Sequence, residues 1–445
     1  MHFQSPDACK TLCLMLSLMV IGYLTPSYAE QRSDAAESDP TVLKWMQGFP
    51  PEPEYLITQP QSNFFSFPKM RWSVCHIREL MPTRQVSKGI AGPGSWKMRI
   101  DPDINNITFK VSGSDEQLTW QQSLALNYTD GILVLHRGAI VYEQYFGCLE
   151  RYKKHAAMSM TKSLVGLLAE MLIAEKRLDD KQLVKSVIPE LAESGFGDAS
   201  IREVMDMTTA IAFSEDYNDP NADIWQYSYA SDPFAHHSAN DPVGYYDYLS
   251  GIKKQGEHGE IFGYRTVNTD VLGWIIARTT GKDVATLLSE KVWQQFGAEQ
   301  DAYITVDSVG TPFAGGGLSA GLRDLGRVGQ ILLNRGRYND QQIIPAAAIA
   351  NIEKGGDKTA FARADYQTLP GASYRSMWWI LHNKNNAYAV RGVHGQTIYI
   401  DPAAEMVIVR LASFPQAKNH YIDPTSLPAY QALADYLISK KSTGR

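Results

Sequence analysis

His155-Ala156-Ala157-Met158-Ser159-Met160-Thr161-Lys162-Ser163 opens a segment that runs on through Leu164, Val165, Leu167, Leu168, Met171, Leu172 and Ile173. So many apolar residues predict a helix that is mostly buried. Ser159 stands at its N-terminus, where unpaired N–H groups and the positive end of the helix dipole favour a developing oxyanion. Lys162 lies three residues on, so the two side chains share a face. A serine hydroxyl is a weak nucleophile until a base takes its proton. A lysine is such a base only when neutral, and burial disfavours its charged form. The spacing Ser-x-x-Lys also occurs at Ser66/Lys69 and Ser250/Lys253, but Pro68 and Gly251 interrupt those copies and neither opens an apolar helix. Context, and not spacing, singles out Ser159.

Working outward, Gly131–His136 and Ala139–Tyr145 read as strands joined by the two-residue turn Arg137-Gly138. A second hairpin is expected from Thr397–Ile400 and Met406–Leu411 around Asp401-Pro402, and Leu427–Lys440 has helical spacing. Between them, helices are predicted over 160–175, 200–207, 268–280, 283–296, 322–334 and 345–352. Strands at both ends and helices between them predict an α+β fold. Its antiparallel sheet is built from N- and C-terminal segments, flanked by helices, with a mainly helical region inserted. The boundaries expected are 1–29 for a signal peptide, 30–115 for an N-terminal arm and extension, 116–425 for the main domain and 426–445 for a C-terminal helix and tail. Within the main domain the α/β part falls near 120–165 and 370–440, and the helical part near 166–350.

The chain of 445 residues has 44% hydrophobic and 20% charged residues and a net charge of -6, an ordinary globular composition. A mildly acidic chain without basic runs argues against a nucleic-acid partner. Lys10, the apolar run Leu12–Leu24 and the small residues around Ser27-Tyr28-Ala29 resemble an export signal. The expected location is therefore periplasmic or secreted, with no stable membrane span after cleavage. Residues 30–68 are rich in Pro, Ser, Gln and acids and read as an extended arm. Cleavage leaves Cys75 and Cys148. A disulfide and two unrelated buried thiols are both open at this point.

The text Asp130-Gly131-Ile132-Leu133-Val134-Leu135-His136-Arg137-Gly138, with Ser159-Met160-Thr161-Lys162-Ser163 after it, resembles the beta-lactamase-related serine hydrolase superfamily. That group includes class C beta-lactamases, DD-peptidases and related esterases. The likeness is strongest to the 6-aminohexanoate-dimer (nylon-oligomer) hydrolase branch, through Leu178-Asp179, Val204–Thr209 and Phe213-Ser214-Glu215-Asp216-Tyr217. It covers about 120–415. The resemblance implies a beta-lactamase/transpeptidase-like fold and an acyl-enzyme on Ser159. It makes Tyr264, in Tyr264-Arg265-Thr266, the catalytic tyrosine that shares a proton with Lys162 as a tyrosinate-like oxygen beside an ammonium. Thr266 stands where asparagine is usual in that motif. In Val393-His394-Gly395-Gln396-Thr397, His394 replaces the lysine of the third motif, with a role near Tyr264 or the leaving group, and Gly395 gives the substrate room. The implied oxyanion donors are the N–H of Ser159 and one from Gln396 or Thr397. Tyr217 is expected either to face the substrate or to pack.

Two other readings compete. Gly317-Leu318-Ser319-Ala320-Gly321 spells the nucleophile elbow of an α/β-hydrolase, but the loop-like residues before it favour Ser319 as the N-cap of the helix at 322–334. The scaffold also serves non-catalytic acyl-binding or penicillin-sensor proteins. His236 and His237 are adjacent and form no metal-binding pattern. No phosphate or dinucleotide fingerprint is present, so no metal and no cofactor are expected. The expected partner is a small amide or ester substrate, with the oligomeric state open.

Overall fold

The computed structural model describes residues 34–442 apart from Gln61 and Asp365; the signal segment expected over 1–29 lies outside them. The apolar run at 131–135 forms a strand whose two faces are both buried, as a central strand covered on each side requires. Arg137 and Gly138 both have positive φ, 51° and 71°, which matches a tight hairpin turn to the twist of its strands. The main sheet comprises β1 (Lys97–Met98), β2 (Thr129–His136), β3 (Ala139–Tyr145), β4 (Ser373–Arg375), β5 (Trp378–Ile380), β6 (Tyr388–Gly392), β7 (Gln396–Asp401) and β8 (Met406–Ala412). Their order in space is β4-β5-β6-β7-β8-β2-β3-β1. Val134 of β2 pairs with Ile408 of β8, so early and late segments of the chain are hydrogen-bonded neighbours. Every pairing is antiparallel except β1 with β3, which is parallel.

The inserted region carries α1 (Met160–Ala174), α2 (Val267–Thr280) and α3 (Leu322–Leu333), and the chain ends in α4 (Asp423–Ser442). Met160 through Leu172 of α1 is buried without a break. The helix packs against α2 and the helix Ala346–Lys354 and reaches β6. Helix α3 lies across β8, β7 and β2. Gly326 and Gly329 let it settle there, because a side chain at either would run into Leu133 or Val407. A smaller sheet, Thr83–Val86, Ala302–Thr305, Leu318–Ala320 and His155–Ala156, fixes the chain just before α1. Ser319 belongs to this sheet, paired with Ala156 and Tyr303. It is therefore not the N-cap expected for α3; that position is Gly321.

Residues 34–82 form only short elements, yet they are packed down. Ala35 joins Tyr128, Phe414 and Ile422, and Ile57 joins Trp72 and Leu80. Buried Arg71 bonds the Ala35 carbonyl, Ser38 Oγ at 3.0 Å and Ser413 Oγ at 3.2 Å. It also faces buried Asp130 at 3.6 Å, whose other oxygen is 3.2 Å from His155 Nε2. Of the two readings of the cysteines, the unpaired one fails: Cys75 and Cys148 form a disulfide across a Cα separation of 6.0 Å. Among the described residues no helix is long and apolar enough to cross a membrane.

Candidate active site

Three backbone features aim the start of α1. Met158, just before Ser159, is held at φ 48°, a sparsely populated conformation for a residue with a side chain. Ala157 N–H donates to the Leu318 carbonyl at 2.7 Å. On the other side, Gly392 at the end of β6 sits so close that a Cβ there would meet the Ala157 carbonyl at 2.9 Å. Ser159 is 6% exposed, and its side chain makes no capping bond to the helix, which leaves the hydroxyl free for other work.

Lys162 Nζ lies 2.8 Å from Ser159 Oγ and donates to the Gly315 carbonyl at 2.5 Å. It is 1% exposed. Burial lowers its pKa to about 8, while Glu215 and Asp270 pull the other way. Tyr264 is also in place: its ring centroid is 5.2 Å from Lys162 Nζ, and its hydroxyl neighbours Ser159. Burial raises the Tyr264 pKa well above its usual value, and Ser159 offsets this only in part. The resting tyrosine is thus a neutral phenol, beside a lysine whose charged form burial weakens without removing. The tyrosinate–ammonium pair expected from sequence is disfavoured, because each ion would be desolvated.

His394 lines the same cavity as Ser159 and Lys162. Its Nδ1–H donates to the Phe414 carbonyl at 2.7 Å, which leaves Nε2 as an acceptor. Burial lowers its pKa to about 4, so it cannot stand in for a cationic lysine near neutral pH. Gly395 and the strand after it differ from expectation. Gly395, at φ 97°, faces Ala412 and Ile422 and not the cavity. Gln396 is tied by its side chain to Ala412, and Thr397 Oγ1 donates to the Val390 carbonyl at 3.0 Å. The residues here that reach the cavities are Arg391, Gly392, Val393 and His394. The chain turns at His394, with φ 62°, before β7 begins, and neither Gln396 nor Thr397, the expected oxyanion donors, lines the cavities.

Tyr217 donates its hydroxyl to Glu215 Oε1 at 2.7 Å and lines both of the cavities that meet at the site. Glu215, which the sequence reading passed over, also accepts from Thr266 N–H at 2.5 Å and Thr266 Oγ1 at 2.6 Å. Thr266 thus serves as an anchor for this carboxylate. Asp270 was missed as well. It accepts from Gly315 N–H at 3.1 Å, its second oxygen has no hydrogen-bond partner, and burial lifts its pKa to about 7. One residue, Gly315, therefore links Asp270 to Lys162. A carboxylate amid the apolar residues Val267, Val271 and Leu272 was the available signal. Ser319 lines the cavity wall, but its hydroxyl has no hydrogen-bond partner in the structure, and the sheet around it is antiparallel.

A buried serine and lysine stand at the mouth of a central helix, beside the end of an antiparallel strand, on a beta-lactamase-like fold. The beta-lactamase family matches residues 128–427, and the chain belongs to that family. It is a hydrolase, in a family whose members are serine hydrolases of amides and esters. The chain is 31% identical over 389 residues to the 6-aminohexanoate-dimer hydrolase of Paenarthrobacter ureafaciens, covering 87% of this chain and 91% of that one. A solved Bacillus anthracis structure, described as a candidate 6-aminohexanoate-dimer hydrolase, superposes with a TM-score of 0.75 at 30% identity, covering 84% of this chain and 96% of that one. A class C beta-lactamase shares the fold, with a TM-score of 0.51 at 17% identity over 71% of this chain and 94% of that one.

Proposed function

We propose that the protein hydrolyses small amides or esters through an acyl-enzyme on Ser159. The observation that carries this reading is the buried 2.8 Å contact between Lys162 Nζ and Ser159 Oγ. With one Lys162 N–H directed at the Gly315 carbonyl, the neutral amine offers its lone pair to the serine. Lys162 takes the Ser159 proton as Oγ bonds to the substrate carbonyl carbon. The oxyanion is held by the N–H of Ser159 and, in place of Gln396 or Thr397, the N–H of Val393, which lines both cavities. The Lys162/Tyr264 pair protonates the departing amine or alkoxide as the carbonyl re-forms, with the Tyr264 hydroxyl facing the leaving group. Water, deprotonated by the same pair, then attacks the acyl-enzyme, and Ser159 recovers its proton.

The likeness to a 6-aminohexanoate-dimer hydrolase makes linear amides of amino acids the first substrates to try. Export to the periplasm or beyond is part of the same proposal, supported by the apolar leader and by the Cys75–Cys148 disulfide. The test is Ser159→Ala with a linear amide dimer and p-nitrophenyl esters. Losing the nucleophile should lower kcat/KM by at least about 10⁴-fold and abolish labelling by a fluorophosphonate. Activity that survives in Ser159→Ala would overturn the mechanism. Labelling of the native enzyme without turnover would favour the acyl-sensor alternative.

A further inference from the structure

The cleft has two unlike halves that share Tyr217, Val393 and Ala417. The attacking group Ser159 opens into one, of about 560 Å³. Tyr264, which faces the leaving group in the mechanism above, opens into the other, of about 520 Å³. On one side the Ser159 half is walled by the N-terminal segment, through Phe64, Phe65, Ile77 and Met81 with Gln59 beside them. Phe65 is 39% exposed and sets its ring 5.9 Å from that of His394, over the cavity. Asp232 is the carboxylate lining this half, and one of its oxygens already accepts from the Phe234 N–H at 2.9 Å. The Tyr264 half has a different chemistry. Arg391 stacks 5.5 Å over Trp379 and pairs with Asp423, Lys418 pairs with Asp216 at 3.0 Å, and Glu215 lines the same half.

We propose that the segment carrying Phe64, Phe65, Ile77 and Met81 is the acyl-group wall of the active site, and that the substrates join an apolar acyl chain to a polar leaving amine or alcohol. This rests on the Ser159 reading, which sets the acyl carbonyl between the halves. An aliphatic or aryl acyl group gains by leaving water in the Phe65 half. An ω-ammonium acyl group would lose its hydration there, with a partly engaged Asp232 as its main compensation. The segment is held in place by Arg71 and by the disulfide, so the wall is a fixed part of the cleft.

The experiment compares p-nitrophenyl acetate, butanoate, hexanoate, octanoate and 6-aminohexanoate, which share one leaving group. In the native enzyme kcat/KM should climb by about two- to fourfold per methylene until the cavity is filled, and hexanoate should exceed 6-aminohexanoate by tenfold or more. Phe65→Ala and Phe64→Ala should flatten that slope. Fluorophosphonate labelling of each variant reports that the serine centre remains folded. Equal rates for hexanoate and 6-aminohexanoate, or a slope unchanged in both variants, would overturn the proposal. Ser159→Ala is run in parallel. Hydrolysis that persists there overturns the mechanism, whereas loss of hydrolysis there beside a flat native slope overturns the acyl wall alone.

Discussion

Lys162 must be buried to be neutral and must stay near carboxylates that favour its charge. With its pKa lowered to about 8 by burial, about one amine in ten is free at pH 7, since each pKa unit is a factor of ten. In the proposed mechanism the active form is the deprotonated one, so kcat/KM should fall as pH drops below about 8 and level off above it. Asp270 and Glu215 both raise the Lys162 pKa. Asp270→Asn removes one of those charges while keeping an oxygen for the Gly315 N–H. Lys162 then drops below 8, and the acid limb of the pH–rate profile moves to lower pH. A limb that stays in place in Asp270→Asn would mean that this carboxyl does not act on the lysine. His394 is neutral throughout this range, because burial holds it near about 4, and contributes no limb of its own.

At the scale of elements, α1 shows what was legible in the sequence and what was not. Its apolar run announced burial, and its polar start announced Ser159 and Lys162. The hairpin of β2 and β3, the pair β7 and β8 and the helices of the inserted region could be read because each rests on local periodicity or turn chemistry. The register that separates Val393 from Gln396, the Gly315 link to Asp270 and the contact of Glu215 with Thr266 depend on residues distant in sequence, which local patterns do not encode. The tight seat of α1 is likewise tertiary. A Cβ on Gly166 would overlap the Ser376 carbonyl and come within 3.0 Å of Met377 Cβ. Gly166→Ala should gain up to about 1 kcal/mol in helix propensity, but forcing backbone apart in a packed interior costs about 1–3 kcal/mol, and carbonyl overlap puts this site at the upper end. The expected net result is destabilisation by about 1–2 kcal/mol, read as a lower urea midpoint with the slope unchanged.

At the scale of the whole molecule, the N-terminal segment is tied to the hydrolase scaffold by two different devices. One is the buried group of Arg71, Asp130 and His155, in which two charges share one apolar site. Each partner there matters chiefly because its loss strands the other. The second is the Cys75–Cys148 bond, which spans 73 residues of chain and joins the short helices behind Ile77 to the loop after β3. A loop of that length implies about 4 kcal/mol of lost freedom in the unfolded chain, and native disulfides commonly contribute about 2–5 kcal/mol. The buried ion group remains when the sulfurs are separated, so the folded site should survive at 25 °C. Cys75→Ser with Cys148→Ser is therefore expected to lose about 2–4 kcal/mol and melt several degrees lower, while Ser159 still reacts with a fluorophosphonate. Thermal unfolding with and without reductant checks the cause. The native protein in reductant should melt with the double variant, and the variant itself should not respond. A native protein whose melting ignores reductant, despite reduction verified by thiol labelling, would show that the ion group alone holds the segment.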